Sequence, residues 1–297
     1  MKGFLKNSNF SGRLFQLFQF LLIFCFCFLA GIILALIVSG GNMDNVSSLK
    51  MATFIQSVST FLLPSFILAY LWSERPLDFL RLKVKPDWKA FVFVVLMMII
   101  AIPAINLLAD LNQRISFPAF MSDIEEQLKM REKQAAIQTE KMLFARTLGG
   151  LLLNIFLIAI IPALSEEFFF RATLQRIISD AKGVILAIWV AAFIFSAIHM
   201  QFYGFVPRLL LGAFFGYLLV WSGSIWLPVI AHFVNNALAV VFHYLSDKGF
   251  QVIDIDIIGT GNTWWLGLVC GIVFVCGFCF LQQYFKRGKE KLSMREH

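Results

Sequence analysis

The sequence predicts an all-α polytopic membrane protein with about eight transmembrane helices. Of its 297 residues, 59% are hydrophobic and only 14% are charged, and the mean hydropathy is +0.79. Soluble globular domains are much more polar than this. Long apolar runs recur along the chain between short polar segments, and a helix needs about 20 apolar residues to cross the hydrocarbon layer. Both observations favour a protein that crosses a membrane many times.

Hydropathy places eight candidate spans along the chain. In order they cover residues 14–38, 52–72, 90–109, 148–165, 184–199, 206–222, 226–245 and 264–284. The fifth and sixth spans are short for a helix that crosses the bilayer. The first apolar run is too long for a signal peptide and lacks a convincing cleavage site, so we expect it to remain as a span.

The distribution of Lys and Arg predicts the orientation of these spans. Segments on the side of the two termini carry sixteen Lys and Arg residues, whereas the opposite side carries three outside one long loop. The positive-inside rule therefore places both termini in the cytoplasm of a multi-pass cell-membrane protein. The formal charge of +7 comes from residues beside apolar segments, as expected for contact with membrane lipid rather than with nucleic acid.

The spans divide the chain into four predicted parts. Residues 1–110 hold three transmembrane helices, 111–147 form a long amphipathic extramembrane loop, 148–245 hold four helices, and 246–297 hold the last helix and a basic cytoplasmic tail.

The long loop contains its own predicted helix. Ser122 followed three residues later by Glu125 is a capping-box pattern, which predicts a helix start. A loose apolar stripe and balanced charges favour a helix lying on the bilayer surface. A lid over a substrate entrance is the alternative interpretation.

Several small residues in the spans are interpreted as packing features. All five cysteines lie in apolar segments, which predicts no disulfide framework. Cys276 and Cys279 form C-x-x-C without a βαβ pattern nearby, so we interpret them as packing residues. Gly212 and Gly216 form G-x-x-x-G, which predicts close helix packing.

The stretch SEEFFFRATLQ places charged groups at the end of an apolar run. Each charged residue at the centre of a membrane helix costs roughly 2.5–3.5 kcal/mol. Glu167 and Arg171 are i,i+4 neighbours, which predicts an ion pair on one helix face. Glu166 points about 100° away from Glu167 and has no such partner. An unpaired carboxylate in a poorly solvated pocket suits a general base or acid.

Helical-hairpin geometry predicts a partner for Glu166. The turn SDAKG at 179–183 separates the helix with the glutamates from the next span. Glu166 and His199 are almost equally distant from this turn, so an antiparallel hairpin would place them face to face at one height. Phe195 lies one turn before His199 and could form a wall of the pocket.

His232 and Asn236 complete the predicted site. They are i,i+4, and therefore on one face, near the start of a span that begins on the same side as the turn. We therefore expect them to meet the glutamates at a shallow depth on the cytoplasmic side. Each polar residue alone has an ordinary structural explanation, and His243, farther along the same span, keeps that explanation.

Three motifs in order resemble those of the CPBP intramembrane proteases, a family that includes CAAX prenyl endopeptidases, bacteriocin-processing enzymes and Abi-type proteins. EEFFFR at 166–171 resembles E-E-x-x-x-R, FSAIH at 195–199 resembles F-x-x-x-H, and HFVNN at 232–236 resembles H-x-x-x-N. The resemblance covers about residues 145–245.

The resemblance implies a glutamate-dependent intramembrane endopeptidase with a cavity open to the cytoplasm. By motif, Glu166 would activate water with help from His199, and His232 and Asn236 would stabilise the tetrahedral oxyanion. The Glu–Arg ion pair would hold the local geometry. The substrate would be a peptide or protein reached from the cytoplasmic side or from lipid, either prenylated, a leader peptide or another membrane protein.

Two kinds of alternative remain open at this stage. We expect no cofactor, but Glu166, His199 and His232 could supply three zinc ligands and leave a fourth position for water. The H-E-x-x-H pattern of many zinc hydrolases is absent. From other functional classes, the chain could be a non-catalytic scaffold, a bacteriocin self-immunity factor or a secondary transporter, although two inverted halves are not visible.

Overall fold

The computed structural model describes residues 2–5, 12–42, 45–250 and 255–293, and within these ranges its regular structure is entirely helical. In chain order the main helices are α1 (Arg13–Ser39), α2 (Val46–Trp72), α3 (Trp88–Gln113), α4 (Ser122–Leu143), α5 (Leu148–Lys182), α6 (Val184–Ala197), α7 (Phe205–Ser222), α8 (Trp226–Asp247) and α9 (Trp264–Ser293). Lys6 and Arg295, which the charge count included, lie outside the described residues.

Seven helices in the described part are long and apolar enough to cross a membrane: α1, α2, α3, α5, α7, α8 and α9. The shorter α6 is apolar as well and coincides with the fifth predicted span, and its crossing of the membrane stays a prediction. This confirms the all-α polytopic fold class. As the hairpin argument required, α5 continues past the glutamates as far as Lys182, next to the turn.

The helix that carries the glutamates is irregular. Its π-helical segments, Ile155–Ile160 and Phe168–Leu174, lie on either side of the α-helical stretch with the glutamates. A π segment widens the turn and disturbs the regular backbone hydrogen bonds. In the second segment the Thr173 hydroxyl donates to the Phe168 carbonyl at 3.0 Å. Side chains before and after each π segment are therefore rotated relative to one another by a different angle than in a regular α-helix.

The predicted helix in the long loop is present as α4, but its predicted capping box is wrong. The residue at the N-cap position is Met121, and no side chain caps the helix. Glu125 instead accepts a hydrogen bond from the Phe117 amide at 3.1 Å and one from Lys129 at 2.6 Å. The hydrogen bond from Lys129 is the main reason that the pKa of the Glu125 carboxyl is lowered. That α4 lies on the bilayer remains a prediction.

The G-x-x-x-G pair holds α7 close to its neighbours. A Cβ at Gly216 would lie 2.7 Å from Gln175 Oε1, and one at Gly212 would lie 3.1 Å from Phe195 Cδ1. The carbonyl of Gly212 accepts a hydrogen bond from Arg171 at 3.1 Å, and that of Gly216 accepts one from Gln175 at 3.2 Å. The close-packing interpretation is therefore confirmed.

The structure agrees with one prediction about the cysteines and contradicts another. All five are free thiols, as expected for a chain without a disulfide framework. Cys276 and Cys279, however, are exposed on the surface of α9, so they are not packing residues within the chain.

Candidate active site

Two adjacent carboxylates lie buried between the π segments of α5. The Glu167 side chain is completely buried, whereas that of Glu166 keeps 12% exposure. Since neither lies at a helix end, the surrounding helices must supply their partners. The remaining exposure makes Glu166 the carboxylate that a substrate or a water molecule can reach.

Glu167 binds two partners. Its Oε2 lies 3.0 Å from Arg171 Nε, which confirms the predicted i,i+4 ion pair. Its Oε1 lies 2.9 Å from His232 Nδ1 on α8, a contact that the sequence analysis did not predict. Glu167 therefore links α5 to α8.

The Arg171 guanidinium is held in an aromatic cage. It is 1% exposed and lies 4.6 Å from the ring centroid of Phe195, 5.6 Å from that of Phe215 and 5.7 Å from that of Phe170. Cation–π contacts of this kind strengthen when the cation is removed from water. Together with the Gly212 carbonyl and Glu167, the rings compensate for burying the charge.

His232 lies between the two glutamates. A carboxylate only accepts hydrogen bonds, so the contact with Glu167 assigns the proton of the neutral ring to Nδ1. Nε2 then directs its lone pair towards Glu166, whose Oε2 lies 3.9 Å away. The ring stacks on Phe215 with centroids 5.4 Å apart. The imidazole is thereby fixed in orientation with its free nitrogen facing the reachable carboxylate.

His199 is oriented in a similar way. Its Nδ1 lies 2.7 Å from the Phe195 carbonyl, which can only accept, so Nε2 is the free nitrogen of the neutral ring. The Phe195 ring lies 5.2 Å from His199 and 5.9 Å from His232, so it forms the predicted wall. The described contacts include no direct bond between Glu166 and His199, and their predicted facing arrangement stays a prediction.

Asn236 connects α8 to the first π segment of α5. Its Nδ2 donates to the Ile158 carbonyl at 3.2 Å, and its Oδ1 accepts from Asn235 at 3.2 Å. An amide NH₂ has two donors, so one N–H of Asn236 remains for another acceptor.

The site is displaced along α5 from the 179–183 turn, and its predicted shallow depth in the membrane stays a prediction. Glu166 lies near the middle of α5, about 24 Å along the axis from Lys182 at 1.5 Å per residue. His199 follows the end of α6 that points away from the 179–183 turn. The loop after it contacts the segment before α4, where the rings of Phe117 and Phe202 lie 5.1 Å apart. His199 therefore lies on the α4 side of the site, away from the turn.

Arg208 on α7 was missed by the sequence analysis. Its Nη2 donates to Gln201 Oε1 at 2.6 Å, and its guanidinium charge acts on both Glu166 and His199. A charged residue inside an apolar span was the available signal, but Arg208 was counted among the loop charges. His243 keeps its structural interpretation because its Nε2 lies 3.9 Å from Asp247 Oδ1 on the same helix.

A zinc site from the three candidate ligands gains no support from this geometry. Within the described ranges, no three His, Cys, Asp or Glu side chains converge closely enough to hold a metal ion. Glu166 and His232 approach each other, whereas the described contacts bring the free Nε2 of His199 to neither of them.

Comparison with protein families gives a match over the same part of the chain. Residues 148–238 match the family described as "Type II CAAX prenyl endopeptidase Rce1-like". This range includes all three motifs, and the match confirms the predicted resemblance to the CPBP intramembrane proteases.

Two curated bacterial proteins are similar to parts of the chain. The "Membrane-embedded CAAX protease MroQ" of Staphylococcus aureus (strain USA300) is 29% identical over 127 residues, which cover 40% of this chain and 50% of MroQ. The "Uncharacterized protein YpbD" of Bacillus subtilis (strain 168) is 27% identical over 89 residues, which cover 29% of this chain and 43% of YpbD. The chain thus spans about half the length of the curated relatives it matches. No solved structure shows significant similarity to it.

Proposed function

We propose that this chain, whose residues 148–238 match the Rce1-like CAAX endopeptidase family, hydrolyses a peptide bond of a membrane-associated or lipidated peptide with a glutamate-activated water. The observation that carries the proposal is the linked set Glu167–His232–Glu166, in which only Glu166 remains reachable. Peptide hydrolysis needs a base, donors for the developing oxyanion and protection from bulk water. The buried set supplies the base and the protection.

Glu166 acts as the general base in this proposal. It takes a proton from the attacking water while the free Nε2 of His199 helps to orient that water. Glu167 does not take this role, because its side chain has no exposure to water and its oxygens lie against Arg171 and His232. It acts as a positioning residue instead.

His232 and Asn236 stabilise the tetrahedral oxyanion. In the neutral ring His232 offers no donor at Nε2, so it donates to the oxyanion after it receives a proton from Glu166, for which their 3.9 Å separation must shorten to hydrogen-bond distance in the substrate complex. The second N–H of Asn236 donates throughout. The proton on His232 is then available for the leaving amine.

A non-catalytic scaffold or self-immunity factor fits these features less well. A scaffold gains nothing from a buried Glu166 without an arginine partner, given the cost of such a group in a membrane. MroQ is named as a membrane-embedded CAAX protease, which agrees with a catalytic role in the matched region.

The proposal is tested by comparing membrane peptides from cells that express either the wild-type chain or Glu166→Ala. We expect a small set of peptides to be cleaved only with the wild type. If the two cell lines give the same cleavage products at equal protein levels, the chain is not an endopeptidase under these conditions.

Substitution of Asn236 tests the oxyanion assignment. Loss of one oxyanion donor costs about 10²–10³-fold in rate, so we expect Asn236→Ala to lower kcat by that factor with little change in KM. Asn106→Ala is the control, because it removes a half-buried amide that donates to the Ile255 and Ile258 carbonyls, away from the site. Equal losses in the two variants would assign Asn236 to helix packing alone.

The zinc alternative has its own test. We expect activity to survive a membrane-permeant chelator, because Glu166 and His199 need no ion to activate water. Elemental analysis of the purified protein accompanies the assay, since a tightly bound ion can resist chelation. Stoichiometric zinc whose removal stops cleavage, and whose return restores it, would replace the glutamate mechanism with a metal-bound hydroxide.

We further propose that both termini lie in the cytoplasm, which places α4 on the opposite side of the membrane. The expected result is a cytoplasmic signal from a reporter at the C-terminus, and labelling of a cysteine at exposed Lys133 in α4 by an impermeant reagent added outside. The reverse pattern would contradict the orientation and give the site access from the cytoplasm at its α4 side.

A further inference from the structure

Three buried polar atoms on α4, on α7 and in the loop between α6 and α7 lack a hydrogen-bond partner. Within the described residues these atoms are Arg208 Nη1, Glu132 Oε2 and the Tyr203 hydroxyl, and the Tyr203 side chain is 5% exposed. A buried polar group without a partner is destabilising, because it has lost its hydrogen bonds to water. Such groups call for an explanation, and a ligand that completes their hydrogen bonds is one.

The packing of α7 against α5 brings Arg208 to the level of the glutamates. The carbonyl of Gly216 accepts from Gln175, and that of Gly212 accepts from Arg171. From the first contact to the second, the residue number falls by four, or about one turn, on both helices. One further step of four residues on each helix reaches Glu167 on α5 and Arg208 on α7.

The charges around Arg208 agree with this placement. Glu166 and Glu132 are the two acidic groups whose charges act on its guanidinium. Glu132 comes from α4, so Arg208 lies between the proposed base and the helix of the long loop. A Cβ at Gly204 would lie 3.0 Å from Arg208 Nη2, so the guanidinium lies beside the loop residue that follows Tyr203.

Arg208 has a fixed orientation with one donor group left over. Nη2 donates to Gln201 Oε1 at 2.6 Å, which fixes the plane of the guanidinium, while Nη1 has no acceptor in the described part. A guanidinium recognises a carboxylate better than any other group in a peptide, because its N–H donors match the two oxygens. The tyrosine hydroxyl offers a second donor.

We propose that Arg208 and Tyr203 bind a carboxylate of the peptide substrate close to the scissile bond, and that Glu132 neutralises Arg208 when the substrate is absent. The inference rests on the proposed endopeptidase activity and adds a specificity to it. The carboxylate is either the free C-terminus of the peptide or an acidic side chain near the cleaved bond. A bound carboxylate would accept from Nη1, to which Glu132 makes no hydrogen bond in the substrate-free protein.

The experiment uses synthetic peptides that cover a cleaved segment found in the membrane comparison. One peptide ends in a free acid, a second ends in an amide, and a third is an amide with an aspartate beside the C-terminus. A charge-assisted hydrogen bond contributes about 1.5–3 kcal/mol, so we expect the purified wild type to show a KM roughly 10–150-fold lower for its preferred carboxylate than for the plain amide.

Variants then assign the preference to named residues. We expect the KM ratio of amide to acid to fall towards one in Arg208→Gln and to fall partly in Tyr203→Phe, whereas Glu132→Gln should raise it by removing the competing carboxylate. Arg146→Gln is the matched control, since Arg146 is an exposed arginine outside this cluster and should keep the wild-type ratio. If Arg208→Gln does not fold, Tyr203→Phe and Glu132→Gln still test the assignment.

Two results would overturn the inference. One is a wild type that cleaves acid and amide peptides equally well. The other is an Arg208→Gln variant that lowers cleavage of all three peptides by one factor and keeps their ratios. If the folded wild type cleaves no peptide that the membrane comparison identified, the proposed endopeptidase function itself fails, together with the specificity that depends on it.

Discussion

Glu166→Gln is expected to lower the turnover of a cleaved peptide by roughly 10²–10⁴-fold, the usual contribution of a general base. The amide keeps the size of the side chain but cannot accept the proton of the attacking water. Because the Glu166 carboxylate forms no ion pair with an arginine, we expect the thermal unfolding temperature to change little. The measurement is kcat with a purified protein in detergent or nanodiscs, alongside an unfolding curve.

Glu167→Gln is the matched control for this change, since it makes the same substitution one residue along the helix. It should lower stability first, because it leaves Arg171 without its carboxylate and His232 without its fixed orientation. Near-normal cleavage by Glu166→Gln, with the loss appearing in Glu167→Gln alone, would exchange the roles of the two glutamates.

Arg171→Met is expected to produce the largest loss of stability. The arginine is buried to 99% of its surface and forms an ion pair with a carboxylate that has no exposure of its own. Removing one member of a buried pair typically costs about 3–5 kcal/mol, because the other charge is left uncompensated. Methionine keeps much of the volume within the phenylalanine cage, so the loss reports the charge. Reversible unfolding in mixed detergent measures it.

A double substitution separates the charge effect from packing. Combining Arg171→Met with Glu167→Gln removes both charges, and we expect it to recover part of the stability that Arg171→Met loses alone. If the double variant is less stable than either single variant by the sum of their losses, the two side chains do not interact as an ion pair.

The sequence was sufficient for the fold class and for part of the site. Hydropathy located the spans because the lipid core demands about 20 apolar residues for each crossing. The ion pair between Glu167 and Arg171 followed from helical spacing, and the close packing at Gly212 and Gly216 followed from their small size. These predictions succeeded because they depend on the spacing and size of residues along one helix and do not require knowing which residues of a neighbouring helix they contact.

Contacts between helices were harder to predict. The contact of His232 with both glutamates depends on the rotation of α8 about its axis, which hydropathy does not specify. Arg208 was overlooked because its position near a predicted span boundary made it resemble a loop residue. The capping box predicted at Ser122 is wrong because the Glu125 carboxylate accepts its backbone hydrogen bond from the amide of Phe117. Spacing arguments assume regular helices, and the π segments of α5 break that assumption.

The π segment Phe168–Leu174 matters for anyone who would transplant this site into a designed protein. It begins directly after Glu167 and contains Arg171, so the extra residue in the turn sets the angle between carboxylate and guanidinium. Copying the peptide SEEFFFRATLQ onto an ideal α-helix would rotate Arg171 away from its present direction. A designer would need to reproduce the hydroxyl of Thr173, which donates to the Phe168 carbonyl, as well as the charged residues. The unit to be grafted is the π segment together with the side chains that support it. The E-E-x-x-x-R motif alone would not carry the chemistry.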